Sequence, residues 1–235
     1  MGHAILALLC LWSCIMIAMP LNDIQVHRAT EYIKNTFKLP ENNQYAYAAV
    51  FSKQECNNLS KNNNRQILQN EKANEIANAL NDDKIIYIGS QMVLALCKKK
   101  ETNKECNMHA EYRLLFPPPE SKDSPVQQLL NKNSEADCAV FFSLNSPCVG
   151  VCTNTKHDDN IIEKLSEFNK FKNQKAFIYH KVYDKDIASK KIRKENIWAG
   201  LMEINNKMTV YRCFPSKCLQ CFEGAAGKNK GHCLN

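Results

Sequence analysis

The sequence predicts an α/β fold in which five strands alternate with helices. Segments of strand length alternate along the chain with longer segments whose apolar residues recur at helical spacing. Residues 138–143 form a continuous apolar run up to the final serine, as expected for a central strand that is covered on both faces. The apolar content of 44% is enough for one core, and no long low-complexity stretch or obvious repeat divides the chain.

The order of the elements follows from periodicity and from helix-breaking residues. Ile33 and Phe37 lie four residues apart in the first predicted helix, which Pro40 closes. Residues 57–64 are rich in asparagine and are predicted to form a loop, and the three prolines at 117–119 must end a helix, which makes 117–136 an insertion. The predicted helices are 24–37, 66–80, 109–115, 161–171 and 196–204, and the predicted strands are 45–51, 84–88, 138–143, 175–180 and 207–213.

The chain begins with an apolar segment at residues 4–18. This segment is shorter than the about 20 residues that cross a bilayer, so residues 1–19 are predicted to be a secretory signal peptide. The alternative is an uncleaved anchor, because no Lys or Arg precedes the apolar run. We therefore expect a secreted protein with no membrane association after cleavage, made of a folded domain at 20–212 and a cysteine-rich C-terminal tail at 213–235.

The cysteine content favours an oxidising compartment. Of the 12 cysteines, two lie in the predicted leader and two are candidate metal ligands, which leaves an even number for disulfides whose pairing the sequence does not fix. Cys218 and Cys221 with His232 and Cys233 could instead form a second zinc site, but a Gly- and Lys-rich secreted tail favours disulfides. The cysteines predicted to form disulfides are Cys56, Cys97, Cys106, Cys138, Cys213, Cys218, Cys221 and Cys233.

Residues 146–152 carry two cysteines four positions apart. Ser146 is a favourable N-cap residue and Pro147 suits the first helical position, so a helix is predicted to begin here. Cys148 and Cys152 would then lie on one helix face, near the positive end of the helix dipole, which favours the thiolates that zinc requires. The alternative is disulfide bonding to distant cysteines, since bridging i and i+4 within one helix fits disulfide geometry poorly.

His109 and Glu111 form the other half of the candidate site. With His109 as the third protein ligand, a zinc ion keeps a fourth position for water, which is the arrangement of catalytic zinc sites. Residues two apart on a regular helix point to nearly opposite sides, so periodicity alone does not predict that both meet one ion. The alternative for His109 is a structural histidine, and the alternative for Glu111 is a solvated carboxylate on a helix.

His109, Glu111, Pro147 and Cys148 match the His-x-Glu and Pro-Cys signature of the zinc-dependent base deaminases, with the second cysteine in a C-x3-C spacing. The chain also resembles the AID/APOBEC polynucleotide deaminases, and its leader makes it similar to the secreted AID/APOBEC-like deaminases of fish and other vertebrates. The segments that carry this resemblance are 176–180, 200–204 and 208–211.

The resemblance implies a fold, a cofactor and roles for the candidate residues. The implied fold is a cytidine deaminase-like three-layer sandwich, with a five-stranded mixed sheet and helices on both faces. The implied cofactor is Zn²⁺, held by His109, Cys148 and Cys152, with Glu111 as the catalytic residue that moves protons.

Basic residues crowd the stretch that follows the fourth predicted strand, in a chain of formal net charge +7. The stretch contains Tyr183 and leads to Trp198, and basic loops with aromatic residues are typical of single-stranded nucleic-acid binding. The alternative is an ordinary solvated charged face. The residues predicted to contact substrate are Tyr179, Tyr183, Lys190, Lys191 and Lys194.

The sequence therefore predicts a secreted zinc-dependent hydrolytic deaminase that converts cytosine to uracil, with single-stranded polynucleotide as its substrate. A first rival is a deaminase of free cytidine or another nucleoside, which a preference for monomers would reveal. A second rival is a catalytically inactive, disulfide-stapled secreted binding protein on the same fold, which zinc content without turnover would reveal.

Overall fold

The computed structural model describes residues 20–41, 43–61, 66–83, 85–99, 102, 106–224 and 229–235. The predicted leader at 1–19 lies outside the described residues. The helices are α1 (Asp23–Phe37), α2 (Lys53–Ser60), α3 (Ala73–Asn81), α4 (Ala110–Leu115), α5 (Pro125–Lys132), a 3₁₀ helix (Glu163–Phe171), α6 (Asp184–Ala188), α7 (Lys194–Asn205) and α8 (Lys230–Leu234). Within the described part of the chain, every helix is too short or too polar to cross a bilayer.

A seven-stranded mixed sheet forms the centre of the molecule. Its strands are β1 (Tyr45–Phe51), β2 (Ile86–Ile88), β3 (Met92–Leu96), β6 (Cys138–Asn145), β7 (Lys175–Lys181), β8 (Thr209–Phe214) and β9 (Lys217–Gln220), and a separate hairpin is made by β4 (Lys98–Lys99) and β5 (Cys106–Met108). The order is β2-β3-β1-β6-β7-β8-β9, with β6, β7 and β8 parallel and the other neighbours antiparallel.

The prediction of five strands is wrong, because β3 and β9 join the sheet. β3 lies between β2 and β1, and all of its residues are buried. Its continuous apolar sequence is typical of a strand that is covered on both faces. β9 lies in the segment predicted as a tail and pairs antiparallel with β8. The α/β class itself is confirmed, as a mixed sheet with several helices.

Both faces of the sheet are covered by helices. Every residue of β1 is buried, and its side chains alternate between two cores. Tyr45 and Tyr47 face the core that contains α1, α2 and α3, whereas the small Ala46 and Ala48 face the core that contains α4, α5 and α7. The alanines allow α4 to approach the sheet closely, and α4 carries part of the candidate site.

Several local predictions need correction. The loop predicted at 57–64 is helical through Ser60, because Ser52 and Glu55 form a capping box that starts α2, and residues 62–65 lie outside the described residues. The helix predicted at 66–80 is regular only in α3. The predicted helix at 161–171 is a 3₁₀ helix.

The predicted insertion at 117–136 is part of the fold. Ser124 caps α5 through a capping box, and Pro125 occupies its first turn. Val126 and Leu129 are fully buried in the same core as α4. The proline run therefore ends one helix and leads into another that packs beside it.

Four disulfides use the eight cysteines that were predicted to form them. The pairs are Cys56–Cys138, Cys97–Cys106, Cys213–Cys218 and Cys221–Cys233. This pairing rules out a second zinc site in the C-terminal segment, because its cysteines are oxidised. Cys148 and Cys152 are the free thiols among the described residues.

The C-terminal segment is docked on the sheet. The Tyr179 hydroxyl donates a hydrogen bond of 2.7 Å to the Cys233 carbonyl, and Arg212 Nη1 donates to the carbonyls of His232, at 2.8 Å, and Asn235. Cys233 and Leu234 are buried. The described part of this segment thus adds strand β9 and helix α8 to the fold.

Candidate metal centre

His109 and Glu111 meet because the histidine lies just outside its helix. His109 is the N-cap residue of α4, with extended backbone angles (φ −64°, ψ 146°), and Glu111 lies in the first helical turn. Two side chains that are two positions apart inside a regular helix would point to nearly opposite sides. The break between the extended and helical conformations brings both side chains to one side.

The predicted helix at Ser146 does not form, and a turn holds the two cysteines instead. The Ser146 hydroxyl accepts a hydrogen bond from the backbone N–H of Tyr183, at 3.1 Å, and so does not cap a helix of its own segment. The Cys152 N–H points to Cys148 Sγ at 3.4 Å, and the Thr153 N–H bonds the Cys148 carbonyl at 3.0 Å. We call residues 146–153 the ligand turn.

The turn still brings the three candidate ligands together. His109 Nδ1 lies 3.1 Å from Cys152 Sγ and 3.8 Å from Cys148 Sγ, and the two sulfurs are 3.6 Å apart. Tetrahedral zinc, with Zn–S of about 2.3 Å and Zn–N of about 2.0 Å, places such ligand atoms about 3.5–3.8 Å apart. Two of the three separations lie in this range and the His109–Cys152 distance is shorter, so one imidazole and two sulfurs form a group that could hold a metal ion.

The electrostatics of the cluster suit a cation. The hydrogen bond with Cys152, followed by that with His109, lowers the pKa of the Cys148 thiol. The hydrogen bond with Cys148, followed by burial, raises the pKa of Cys152, and repulsion from the Glu111 and Cys148 charges adds to this shift. A bound zinc ion would remove that repulsion and hold both sulfurs as thiolates.

Glu111 is a buried carboxyl with one oxygen unpaired. Its Oε1 accepts a hydrogen bond of 2.6 Å from the Ser143 hydroxyl, whereas its Oε2 is buried without a partner among the described residues. Burial raises the pKa of Glu111, against the opposing influence of His109 and the Ser143 hydroxyl. An unpaired buried carboxyl oxygen is costly, and water or a ligand in contact with Oε2 would remove that cost.

A small cavity of ≈ 50 Å³ lies beside these groups and is large enough for water. Its walls are Gln44, Cys106, His109, Glu111, Asn145, Ser146, Cys148 and Tyr183. The Tyr183 ring meets the His109 ring edge-on, with centroids 6.3 Å apart. His109, Cys148, the candidate proton carrier Glu111 and one aromatic wall thus face the same space, and Cys152 lies behind them in contact with His109 and Cys148.

The other predicted substrate residues lie away from the cavity walls. Tyr179 is fully buried and bonds the Cys233 carbonyl, so it supports the C-terminal segment in place of the predicted substrate contact. Lys190 and Lys191, between α6 and α7, and Lys194, the first residue of α7, are exposed and do not line the cavity. Lys194 also bonds the Asn235 side chain.

The sequence did not single out the groups that hold Glu111 and the ligand turn in place. Ser143 lies in a strand-like apolar run, and the amide of Gln44 donates to its hydroxyl at 3.1 Å. Asp186 is buried and accepts a hydrogen bond of 2.9 Å from the Val149 N–H. A serine inside an otherwise apolar central strand is the one signal that pointed to Ser143.

A family model described as Secreted Novel AID/APOBEC-like Deaminase 1 matches residues 26–235. Comparisons with curated proteins and with solved structures gave no match. The matched range contains His109, Glu111, Cys148, Cys152 and the C-terminal segment, and it confirms the resemblance to the secreted AID/APOBEC-like deaminases. Because the match spans nearly the whole chain, the protein belongs to the family of Secreted Novel AID/APOBEC-like Deaminase 1.

Proposed function

We propose that this protein is a secreted zinc-dependent deaminase that hydrolyses cytosine to uracil and ammonia in single-stranded polynucleotide. The observation that carries the proposal is the unpaired Oε2 of Glu111 beside the cluster of His109, Cys148 and Cys152. The family membership and the four disulfides, which are typical of oxidising compartments, also support it.

His109, Cys148 and Cys152 would hold the zinc ion, which supplies the Lewis acidity that makes water nucleophilic near neutral pH. Glu111 Oε2 accepts one proton of the attacking water and delivers it to the ring nitrogen. It then takes the second proton from the hydroxyl that has been added to the ring carbon and delivers it to the amino group, which leaves as ammonia when the C–N bond breaks and the ring carbonyl forms. Ser143 fixes the carboxyl through Oε1, which leaves Oε2 free to move protons. Tyr183 lines the cavity and would form the wall against which the base packs.

The experiment that tests the chemistry compares wild-type protein with Glu111→Gln on cytidine, adenosine, single-stranded DNA and single-stranded RNA. We expect about one zinc ion per chain in both proteins and turnover of cytosine by the wild type alone. The variant loses about 10²–10⁴-fold in rate, because the amide keeps the shape of the side chain but cannot accept a proton. Glu203→Gln, at an exposed site on α7, is the matched control and keeps full activity.

Two results would contradict the proposal. Zinc-containing protein without turnover of any of these substrates would favour the binding-protein rival. A protein without zinc, in which peptide mapping finds Cys148 or Cys152 in disulfides, would remove the metal centre altogether.

The polynucleotide substrate is tested separately, through salt dependence. We propose that exposed Lys190 and Lys191, which follow α6, and exposed Lys194, the first residue of α7, contact the phosphates of a bound strand. Each phosphate contact steepens the fall of affinity by about 0.7 log units per log unit of salt for single strands. Changing the three lysines to alanine should make the fall of affinity with salt less steep than in wild type. The same change at three exposed lysines elsewhere, Lys38, Lys53 and Lys61, should leave the salt dependence as in wild type.

The outcome that would overturn the polynucleotide assignment is specific. Equal turnover of cytidine and oligonucleotide, insensitive to salt and to the lysine substitutions, would identify a nucleoside deaminase.

A further inference from the structure

Asp186 is a buried carboxylate without an obvious packing role. It lies in the short helix α6, its side chain is 3% exposed, and the residues on either side of it are exposed. Burying a charged group is costly unless it makes a needed hydrogen bond. The bond that it makes is to the ligand turn, where Asp186 Oδ2 accepts from the Val149 N–H at 2.9 Å.

Two further hydrogen bonds join the same two segments. The Ser146 N–H donates to the Lys181 carbonyl at 2.6 Å, and the Tyr183 N–H donates to the Ser146 hydroxyl at 3.1 Å. The Asp186 N–H in turn bonds the Tyr183 carbonyl at 3.0 Å. The segment that carries Tyr183 is thereby attached to the ligand turn at both ends of residues 146–149.

The ligand turn depends on such outside contacts because it is not a helix. In a regular helix the Val149 N–H would be one of the free donors of the first turn. Here the Asp186 carboxylate takes that N–H, next to Cys148, and fixes the backbone on which the sulfur is mounted. On the other side, Gly200 of α7 lies so close that a Cβ there would come within 2.5 Å of Thr153 Oγ1.

We propose that Asp186 is a positioning residue that locks the ligand turn to the segment carrying Tyr183, so that the metal ligands and the aromatic wall keep one geometry. The inference rests on the proposed function, because it concerns the same site. It assigns to Asp186 a role exerted through its hydrogen bond to Val149 and independent of its charge.

Three substitutions separate the hydrogen bond from the charge. Asp186→Asn keeps an acceptor oxygen in place and removes the charge, whereas Asp186→Glu keeps the charge and moves the acceptor by one methylene. Asp186→Ala removes both. Asp184→Ala, at an exposed acidic residue of the same helix, is the matched control.

The first measurement is hydrogen exchange of the ligand turn in the full secreted protein, which requires neither zinc nor turnover. We expect the Val149 amide to exchange about tenfold faster in the Ala and Glu variants, and within about threefold of wild type in the Asn variant and the control. The second measurement is release of zinc to a chelator, which should be about 10–100-fold faster in the Ala and Glu variants.

The inference would be overturned if the ligand turn of Asp186→Ala were as well protected from hydrogen exchange as that of wild type. It would also be overturned if the Val149 amide exchanged faster in the Asn variant but at the wild-type rate in the Glu variant. If the Ala variant is not secreted, the Asn and Glu pair decides the question. Protein that holds zinc but does not deaminate would contradict the proposed function while leaving the exchange result for Asp186 intact.

Discussion

Removal of the Cys56–Cys138 disulfide should cost more stability than removal of any short-range disulfide. This bond joins α2 to the first residue of β6 across 82 positions of sequence, whereas Cys221–Cys233 spans 12. Loop-closure entropy gives a loss of about 4.5 kcal/mol for the long loop and about 2.8 kcal/mol for the short one. The sulfurs of both pairs are buried, so the cost of truncation to alanine is similar in the two variants.

The assay is urea unfolding of the double alanine variants at neutral pH, followed by tryptophan fluorescence and far-UV circular dichroism. We expect the free energy of unfolding to fall about 1.7 kcal/mol further for the Cys56 and Cys138 pair than for the Cys221 and Cys233 pair. Domains of this kind are stable by about 5–15 kcal/mol, so the first variant should be marginally folded. Equal losses, or a larger loss from the short loop, would refute the entropic reasoning.

Three further predictions concern single side chains. Ser143→Ala removes the donor to Glu111 Oε1 and should lower both kcat and the free energy of unfolding, the latter by about 1–3 kcal/mol, as checked by kinetics and urea unfolding. Burial raises the pKa of half-buried Glu167 to about 7, so the folded protein favours the protonated carboxyl. The free energy of unfolding should therefore fall by about 1–2 kcal/mol, after allowance for solvent, as pH rises from about 4.5 to 7. Glu167→Gln should abolish this pH dependence of the free energy of unfolding. Tyr179→Phe should lower the free energy of unfolding by about 1 kcal/mol, because it removes the hydrogen bond to the Cys233 carbonyl, and should leave KM unchanged. A raised KM would show that Tyr179 contacts the substrate.

The chemistry of the site could be predicted from sequence more fully than its backbone. His109, Glu111, Cys148 and Cys152 were identified by residue type and spacing; the structure groups His109 with the two cysteines and places His109, Glu111 and Cys148 at one cavity. The predicted helix at Ser146 was wrong because an N-cap preference is a local property, and the hydroxyl is used by Tyr183, 37 residues away.

The extent of the sheet was underestimated for a related reason. Strand β9 is short and lies in a polar, cysteine-rich context, so its own pattern does not predict a strand; it forms because β8 offers an edge and the Cys213–Cys218 bond closes the hairpin. The Val149–Asp186 bond has no sequence signal at all, since it joins a backbone group to a side chain across a tertiary contact. Such contacts appear only once the fold is known.

In the part of the chain that the structure describes, four disulfides coexist with two free thiols, so correct oxidation must leave Cys148 and Cys152 reduced. Eight cysteines already allow roughly a hundred pairings, and two additional reactive thiols in the nascent chain multiply the wrong ones. A zinc ion captured early by Cys148 and Cys152 would act as a protecting group while the oxidase forms the remaining bonds. Metal supply in the secretory lumen would then determine the yield of correctly folded protein, and oxidative refolding with zinc present should recover more of it than refolding with a chelator.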